Sequence, residues 1–444
     1  MVSREPMSEP SSKPLLKRLA KNMSWMFLSQ ILVGLFGLAS LIFTARAIGP
    51  AAVGILALVD AYIQVMDRLF RLEPWQATIK YGSEALIEED PNRFRQLIKM
   101  SVVTDCLGGL LAGSVAIMLA PKLAPFIGLS EPEGASYITL VAFGLFLSLR
   151  PTGIGVLRIF DRFDVLAISD MVIAGLRLVG VIIAFLLDLG IWAFVALLLM
   201  HQILTGLVAF FLALAELKKR NLHRFLSQPL RRAFAHNPGY LRFLWNSNFN
   251  VILRQSTQRL DILVVGALLD VTSVGFYQVG KRIMANVVRI GGPVRQVLYP
   301  EMTRLWAVGD FGRFWRLVRL VSLSVCGVSI LVSIPLALKM PELAVLLFGP
   351  EFRGAAPVMT ILMYAAIVYL GGLVLNPALL SMGLDSALVR TTIVATVIFT
   401  ASFLPLLYWM GIEGIALAHL LFNVIWTVGC IFAIRSYLAR KHET

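Results

Sequence analysis

The chain has 444 residues, enough for two or three soluble domains, but its composition does not suit water. Hydrophobic residues make up 58% of it and charged residues only 15%, and the mean hydropathy is +0.79, whereas a soluble domain carries about 25% charged residues. This balance excludes a soluble enzyme and a disordered protein, and the net charge of +14 becomes a question of membrane topology.

The sequence predicts twelve membrane-spanning helices, because about 20 apolar residues cross the hydrocarbon core as a helix. In chain order the predicted spans are 23–45, 52–72, 97–119, 135–157, 165–187, 189–214, 244–268, 272–298, 317–338, 357–380, 388–410 and 412–434. The first could be mistaken for a signal peptide, but its apolar stretch is longer than the roughly 7–15 residues of a secretory h-region. Residues 1–14, rich in Ser and Pro, are predicted to be a disordered tail.

The basic residues predict the orientation of the chain. With the N-terminus in the cytoplasm, the inner segments hold 26 Lys and Arg residues and the outer loops hold four. The positive-inside rule therefore predicts that both termini are cytoplasmic. The inner segment 215–243 holds seven basic residues and no acid after Glu216, which favours an anchor against anionic headgroups, with a docking site for a cytoplasmic partner as the alternative.

The two halves of the chain resemble each other at a nearly constant offset of half the chain length. The segment 48–54 matches 269–275, the segment 90–94 matches 310–314, and Gly128 matches Gly349. Six spans in each half is an even number, so the halves should share their orientation and be related by an axis along the membrane normal. Repeated bundles about a central site are typical of alternating access, and a duplicated scaffold without transport is the alternative.

This repeat predicts an all-α integral membrane protein with two pseudo-symmetric six-helix bundles. The predicted divisions are a cytoplasmic tail at 1–22, the first bundle at 23–214, the basic linker at 215–243, the second bundle at 244–434 and a cytoplasmic tail at 435–444.

Ten basic residues fall inside the predicted spans, where each costs roughly 2.5–3.5 kcal/mol at a lipid-facing helix centre. Their sum of about 25–35 kcal/mol exceeds a typical folding stability of about 5–15 kcal/mol, so most of them cannot face lipid. Arg71, Arg150 and Arg295 lie near cytoplasmic helix ends and are expected to reach the headgroups. Arg177 lies two turns from Asp170 on the same helical face, which favours an ion pair between the two.

The other intramembrane polar residues follow helical stripes. On the seventh span Asn250, Arg254, Gln258 and Asp261 recur at steps of four, four and three; the second and eighth spans carry similar stripes, and the first carries a small polar stripe over 30–44. Basic residues outnumber acids by ten to five within the spans, and arginine grips phosphate bidentately. We therefore expect a midplane cleft that receives a phosphate or diphosphate group. The alternative is that the acids pair with most of the bases and water screens the rest.

The predicted substrate-binding residues are Arg68, Arg254, Arg259, Lys281, Arg282, Arg289, Gln258 and Gln278. The predicted ion-coupling residues are Asp60, Asp67 and Asp261, because intramembrane carboxylates often bind protons or sodium ions. Structural salt bridges to Arg254 or Arg68 are the alternative for these acids.

Motifs for chemistry are missing from the sequence. It contains no Walker loop, no Gly-x-Ser-x-Gly turn and no Cys-x-x-Cys, and its five histidines have no metal-ligand spacing. The three cysteines lie in apolar runs, which excludes a disulfide framework. The basic residues segregate to the cytoplasmic face rather than to a soluble patch, so a nucleic-acid partner is not expected. We expect no enzyme, no metal and no cofactor.

Four short segments carry a resemblance to a known family. They are ARAIGP at 45–50 with Val53 and Gly54, QRLD at 258–261 leading into VVG at 264–266, VGFY at 274–277, and LYP at 298–300 through Arg304. With these segments the chain resembles the polysaccharide transporters, or O-antigen-type lipid-linked oligosaccharide flippases, of the multidrug/oligosaccharidyl-lipid/polysaccharide (MOP) exporter superfamily. Twelve spans suit this branch, whereas the related lipid II flippases usually have fourteen.

The resemblance implies a flippase that moves a polyprenyl-diphosphate-linked oligosaccharide from the cytoplasmic to the outer leaflet by alternating access, for polysaccharide biosynthesis. It implies a multi-pass protein of the inner (cytoplasmic) cell membrane, driven by H⁺, Na⁺ or the membrane potential. Its partners would be the lipid-linked substrate, membrane lipids and other proteins of polysaccharide assembly. The alternatives are a multidrug or cation exporter of the same superfamily and an integral-membrane enzyme of polysaccharide assembly.

Overall fold

The computed structural model describes residues 12–130, 132–255 and 257–443; the described side chains exclude those of 12–20, 231–232, 249–255, 257–258, 290, 293, 296–297 and 440–443. Every element assigned in these ranges is a helix, so the prediction of an all-α membrane protein is confirmed. The sequence predicted a disordered tail up to residue 14, but residues 12–14 are helical. The prediction was wrong there because the first helix continues past its apolar part; residues 1–11 lie outside the described residues.

The first half contains seven helices: α1 (Ser12–Phe70), α2 (Trp75–Ile87), α3 (Pro91–Phe126), α4 (Gly134–Phe146), α5 (Arg150–Ile159), α6 (Phe163–Leu186) and α7 (Ile191–Lys219). Two helices follow before residue 256: α8 (Leu230–His236) and α9 (Tyr240–Gln255). The remaining elements are α10 (Thr257–Leu268), α11 (Val271–Val308), α12 (Phe311–Leu338), α13 (Met340–Phe348), a 3-10 helix (Pro350–Ala355), α14 (Ala356–Gly371), α15 (Leu375–Ser381), α16 (Asp385–Met410) and α17 (Ile412–Glu443).

The first two predicted spans meet inside α1. Gly49 has φ 71° and ψ 178°, a backbone that glycine adopts without strain, and Pro50 follows it. The helical run from Lys21 to Phe70 has 50 residues, or about 75 Å of helix, more than twice the roughly 30 Å of a bilayer core. The helix α1 is therefore long enough to supply two spans, and the interruption at Gly49 separates them.

Within the described residues, nine helical runs are long and apolar enough to cross a membrane. The run that starts at Lys21 holds two of the predicted spans, and α11 has the length of a span but carries the charged stripe. Two predicted spans, 135–157 and 357–380, are each broken into two helices, α4 with α5 and α14 with α15. The number of twelve spans and the cytoplasmic position of both termini stay predictions.

The repeated segments of the two halves touch each other. A Cβ placed on Gly54 would overlap the carbonyl oxygen of Val271, and a Cβ on Gly275 would overlap that of Pro50. In the repeat, Gly54 corresponds to Gly275 and Pro50 to Val271, so the two contacts are reciprocal. Such an exchange of contacts is what a two-fold axis between the halves produces.

The repeat is also visible in the way that two long helices begin. Asp90 precedes α3 and its side chain accepts hydrogen bonds from the backbone N–H groups of Asn92 and Arg93, both at 2.9 Å. Asp310 precedes α12 and accepts in the same way from the N–H of Arg313 at 3.0 Å. Aspartate is a favoured N-cap because it satisfies N–H groups that the helix leaves free. The matching DPNRF and DFGRF segments are therefore matching helix starts.

The largest hydrophobic core joins both halves. It contains buried residues of α1, α3 and α4 together with Ile262 and Val265 of α10 and Val274 of α11. On α3, alanines at 112, 116, 120 and 124 form one small-residue face, and the Tyr62 hydroxyl donates to the carbonyl oxygen of Ala116 at 2.9 Å. Small side chains allow close approach of membrane helices, where dispersion contacts rather than water exclusion drive packing.

The predicted basic linker is fastened to the first half. Lys99 donates to the carbonyl oxygens of Leu226 and Gln228 at 2.8 and 2.6 Å, and Arg95 donates to that of Asn221 at 2.9 Å. These bonds come from the first turns of α3. The segment 221–228 therefore packs against the protein, which leaves its exposed basic side chains, such as Arg224, for the headgroups or a partner.

Candidate functional site

The polar stripe of α1 lies directly against the arginines of α11. Arg282 and Arg289 are two helical turns apart and thus share a face of α11. A Cβ on Gly37 would overlap Nη2 of Arg282, and a Cβ on Gly34 would lie 2.9 Å from Nη1 of Arg289. Nη1 of Arg289 also donates to the carbonyl oxygen of Gln30 at 3.3 Å. Glycines in this stripe therefore make room for two guanidinium groups between the helices.

Further charges surround Arg282. It lies within electrostatic range of three other arginines, Arg177 on α6, Arg259 on α10 and Arg289, and of the carboxylate of Asp60 on α1. Nη1 of Arg259 is 3.9 Å from Oδ2 of Asp60, and both side chains are about one-third exposed, at 30% and 38%. One acid cannot neutralise four guanidinium groups, so this group of described residues carries a surplus of positive charge.

Three buried nitrogen atoms in this region have no hydrogen-bond partner among the described residues. They are Nε of Arg177, Nδ1 of His201 and Nδ2 of Asn286. Asn286 belongs to the arginine face of α11, and its side chain would lie 2.8 Å from a Cβ on Gly34. Two of the three, the guanidinium and amide nitrogens, can only donate. Buried donors without partners are uncommon, and here they favour a ligand rich in acceptor oxygens.

A second cluster lies in the second half, around Asp261. Its side chain is 2% exposed, and Oδ2 accepts from the hydroxyl of Tyr277 at 2.7 Å and from Nζ of Lys281 at 2.5 Å. Nε2 of His419 is 3.4 Å from the same oxygen and 2.8 Å from the Tyr277 hydroxyl. The N–H of Ile262 donates to Oδ1 at 2.8 Å. Helices α10, α11 and α17 thus converge on one buried carboxylate.

The structure separates the predicted substrate-binding residues. Arg259, Arg282 and Arg289 share the arginine group, whereas Lys281 points to Asp261 instead. Gln278 is half-buried one turn before Arg282 on α11. Arg68 lies near the end of α1, within electrostatic range of Glu73. Arg254 and Gln258 belong to α9 and α10, but their side chains lie outside the described ones.

The predicted ion-coupling acids also have different surroundings. Asp60 accepts from Nε2 of Gln64 at 2.7 Å and faces Arg259, so it borders the arginine group. Asp67 is held at 2.5 Å by Nε of Arg71. Asp261, with its basic and phenolic neighbours, is the most deeply buried of the three.

Two expectations about intramembrane arginines were wrong. Arg71 does not reach the headgroups: it is 3% exposed, bound to Asp67, and donates to the carbonyl oxygens of Leu145 and Ser148. Asp170 pairs with Arg150 at 3.0 Å rather than with Arg177. Arg71 is held by the preceding helical turn and by carbonyl oxygens of a distant segment, and Asp170 pairs with an arginine of another helix rather than of its own.

Sequence reasoning missed Tyr277, Asn286 and the contact of His419 with Asp261. Asn286 could have been found, because it continues the stripe of Arg282 and Arg289 at steps of four and three. The pairing of His419 with Asp261 joins two distant parts of the second half, which no local pattern contains. Among the described residues, no group of three or more His, Cys, Asp and Glu side chains could hold a metal ion.

The fold defined by these helices is that of MOP-superfamily transporters. A multidrug resistance MATE family transporter of that superfamily, in an inward-facing conformation, aligns with a TM-score of 0.70 and 16% identity over 93% of this chain and 96% of its own. The lipid II flippase MurJ, in an inward closed conformation, aligns with a TM-score of 0.64 and 12% identity over 94% of this chain and 87% of its own. At these identities the likeness concerns the fold.

Residues 19–306 match the family described as polysaccharide biosynthesis protein, and the chain belongs to that family. The inner membrane protein YghQ of Escherichia coli (strain K12) is 26% identical to it over 342 residues, which cover 76% of this chain and 95% of YghQ. The predicted family and the predicted multi-pass membrane class are confirmed. The proteins that share this fold are transporters and flippases, not enzymes.

Proposed function

We propose that the protein is a flippase that moves a polyprenyl-diphosphate-linked oligosaccharide from the cytoplasmic to the outer leaflet of the inner membrane. The two halves, 23–214 and 244–434, would alternate in access about the arginine group, while the basic linker and both tails stay cytoplasmic. Family membership supports a role in polysaccharide biosynthesis, and the relative YghQ is an inner membrane protein.

One observation carries the choice of substrate class: the arginines between α1 and α11 accompany buried donors that lack acceptors. A diphosphate supplies several acceptor oxygens and negative charge, which would satisfy both the donors and the repelling cations. Guanidinium groups hold phosphate oxygens in a bidentate fork, unlike the rounder lysine ammonium. The sugar and the polyprenyl chain would extend from this headgroup, the former along the cleft and the latter into lipid.

Two features argue against the two alternatives. A multidrug exporter of cations would need an acidic cleft, whereas the group around Arg282 sets four arginines against the one carboxylate of Asp60. An integral-membrane enzyme would need acid and base residues in an outer domain, and the longest predicted outer loop is only 338–357.

The cluster of Asp261, Lys281, Tyr277 and His419 is the proposed coupling site. Lys281 adjoins Arg282 in sequence, so one segment of α11 carries both a cation bound to the buried carboxylate and a cation of the cleft. A proton or a sodium ion that displaced Lys281 from Asp261 would change the position of this segment and thereby the access of Arg282. The membrane potential is a further source of drive for an outward-moving anion.

The proposal is tested by reconstituting the protein in liposomes with a fluorescent polyprenyl-diphosphate oligosaccharide. Two contacts of about 1.5–3 kcal/mol each would be lost in the double variant Arg282→Ala with Arg289→Ala, so flipping should fall by about a hundredfold or more. The pair Arg254→Ala with Arg282→Ala should behave in the same way. Arg304→Ala is the matched control, because Arg304 also lies on α11 but is exposed and bound to Glu301. Wild-type flipping by either double variant would refute the site.

A cationic dye loaded into the same liposomes tests the exporter alternative. We expect no dye export that depends on the wild-type protein. Export of the dye without flipping of the lipid would replace this proposal with the multidrug one.

A further inference from the structure

Both halves contain a break in their fourth span, and the two breaks lie 225 residues apart, four more than the offset of 221 between segments 48–54 and 269–275. α4 ends at Phe146 and α5 begins at Arg150; α14 ends at Gly371 and α15 begins at Leu375. The two breaks have equal length: each contains three residues, 147–149 and 372–374. Helix breaks inside a membrane leave backbone groups free, so what satisfies them decides whether the break is rigid.

The first break is fastened on both sides by charged side chains. Arg71 donates to the carbonyl oxygens of Leu145, at 2.8 Å, and Ser148, where α4 ends. Asp105 accepts from the N–H of Thr152 at 2.9 Å and from its hydroxyl at 2.6 Å, where α5 begins. The cation of Arg71 at a helix C-terminus matches the helix dipole, and the carboxyl group of Asp105 satisfies two donors at a helix N-terminus. Asp105 and Thr152 are fully buried.

The second break has the corresponding residues in place but without the charges. Gly291 corresponds to Arg71 in the repeat and packs against the break: a Cβ there would lie 2.9 Å from Leu373 and 3.1 Å from Leu370. Cys326, which corresponds to Asp105, also lies at the break, with Sγ 3.7 Å from a Cβ placed on Gly371.

Pro377 is the third residue of α15, as Thr152 is the third residue of α5, but it has neither an N–H nor a hydroxyl to donate. Among the described residues, no side chain donates to the carbonyl oxygens of 370–374; those of Leu370, Gly372 and Val374 accept backbone N–H groups instead, at 3.0–3.1 Å. Glycine, cysteine and proline thus stand where the first half has arginine, aspartate and threonine.

Two more features of the second break favour bending. Gly371 and Gly372 adjoin it, and paired small residues are frequent kink sites in helices. The hydroxyl of Thr427 on α17 is buried without a described partner and would lie 2.8 Å from a Cβ on Gly372. A carbonyl released when the break bends would give that hydroxyl an acceptor, as buried polar groups require.

The second break also packs against α11, the helix that carries the arginines. Gly291 rests on Leu370 and Leu373, and Arg289, two residues earlier on α11, bonds to α1 through the Gln30 carbonyl. Movement of α11 relative to α1 would therefore be transmitted to the leucines at the break.

We propose that the break between α14 and α15 is the hinge at which the second half bends during transport, while the break between α4 and α5 is a fixed strut. The alternation of access would then be unequal between two halves that share a fold. This inference rests on the proposed function only for the existence of two alternating states.

Hydrogen exchange measured by mass spectrometry in lipid nanodiscs tests the hinge without a transport assay. The amides of 372–375 should exchange about tenfold faster than those of 147–150, because opening of the first break requires separation of the buried hydrogen bonds made by Arg71 and Asp105. Equal exchange at the two breaks, or faster exchange at the first, would overturn the proposal even if flipping is observed.

The variant Gly371→Ala tests the role of the hinge in transport. Its Cβ has ordinary contact with Cys326, so it fits, and alanine favours the helix by a factor of about five over glycine. Exchange at 372–375 and the rate of flipping should both fall about fivefold. Gly327→Ala on α12, where a Cβ meets open space, is the control and should change neither.

Slower exchange with unchanged flipping in Gly371→Ala would refute the hinge. If the wild-type protein does not flip the lipid-linked probe, the proposed function fails, and the exchange comparison still decides which break opens.

Discussion

Gly34→Ala tests whether the glycine stripe of α1 positions the arginines of α11. The new Cβ would lie 2.9 Å from Nη1 of Arg289 and 2.8 Å from Oδ1 of Asn286, whereas ordinary contact needs about 3.4 Å or more. Both groups must therefore move by about half an ångström or more. The bond from Arg289 to the Gln30 carbonyl, already 3.3 Å long, would be broken.

The expected loss is that of one charge-assisted contact to phosphate, about 1.5–3 kcal/mol. This corresponds to about ten- to 150-fold weaker binding, measured with a soluble diphosphate headgroup analogue on the purified protein. Thermal stability should not fall, because alanine is about 1 kcal/mol better than glycine inside a helix. Binding and stability are thus expected to change in opposite directions.

Two controls separate this effect from helix stiffening. Gly292→Ala on α11 meets open space, and Gly175→Ala on α6 meets only Phe36 at 3.8 Å, so both should bind the analogue like the wild type. In an Arg289→Ala background, Gly34→Ala should have little further effect, since the two changes act on one interaction. Wild-type binding by Gly34→Ala, or an equal loss in the Arg289→Ala background, would refute the reasoning.

Two further predictions concern buried acids. Asp261→Asn should lower the free energy of unfolding by about 3–5 kcal/mol, because Lys281 would lose its buried partner. Asp261→Asn with Lys281→Met should recover stability but not flipping, as measured by thermal unfolding in detergent and by the liposome assay. Normal flipping by this double variant would show that the cluster has no role in coupling. Burial raises the pKa of Glu73 at the end of α1, so the folded protein holds this proton more tightly than the unfolded chain does. Between the ordinary glutamate pKa and this raised value, the melting temperature should therefore fall as pH rises, and Glu73→Gln should flatten that slope; an unchanged slope in the variant would show that another group causes it.

The sequence contained most of the fold, because apolar length and helix-start residues are local. The gap between the first two predicted spans contains the turn at Gly49 and Pro50, whereas α3 and α12 begin several residues before the predicted starts at 97 and 317, at the caps Asp90 and Asp310. The breaks at 147–149 and 372–374 could not be predicted, because their residues are as apolar as those of a continuous span.

The candidate site was only partly predictable for the same reason. Helical periodicity placed Arg282 and Arg289 on one face of α11. The glycine stripe of α1, which lies against these arginines, was expected from its small residues. Lys281 is adjacent to Arg282 and was assigned to the same role, but its ammonium group binds Asp261. Helical periodicity gives the direction of a side chain, whereas its partner depends on which helix packs there.

In the proposed transport cycle, the reciprocal contacts at Gly54 and Gly275 would have a consequence for product release. They bring main chain against main chain, with the carbonyl oxygens of Val271 and Pro50 facing glycine Cα atoms. Such Cα–H to oxygen contacts contribute only about 0.5–1 kcal/mol each, and parting them uncovers no ion pair that water must then resolvate. In the proposed flippase, such a seam would separate at little cost, so its opening would not be expected to limit turnover.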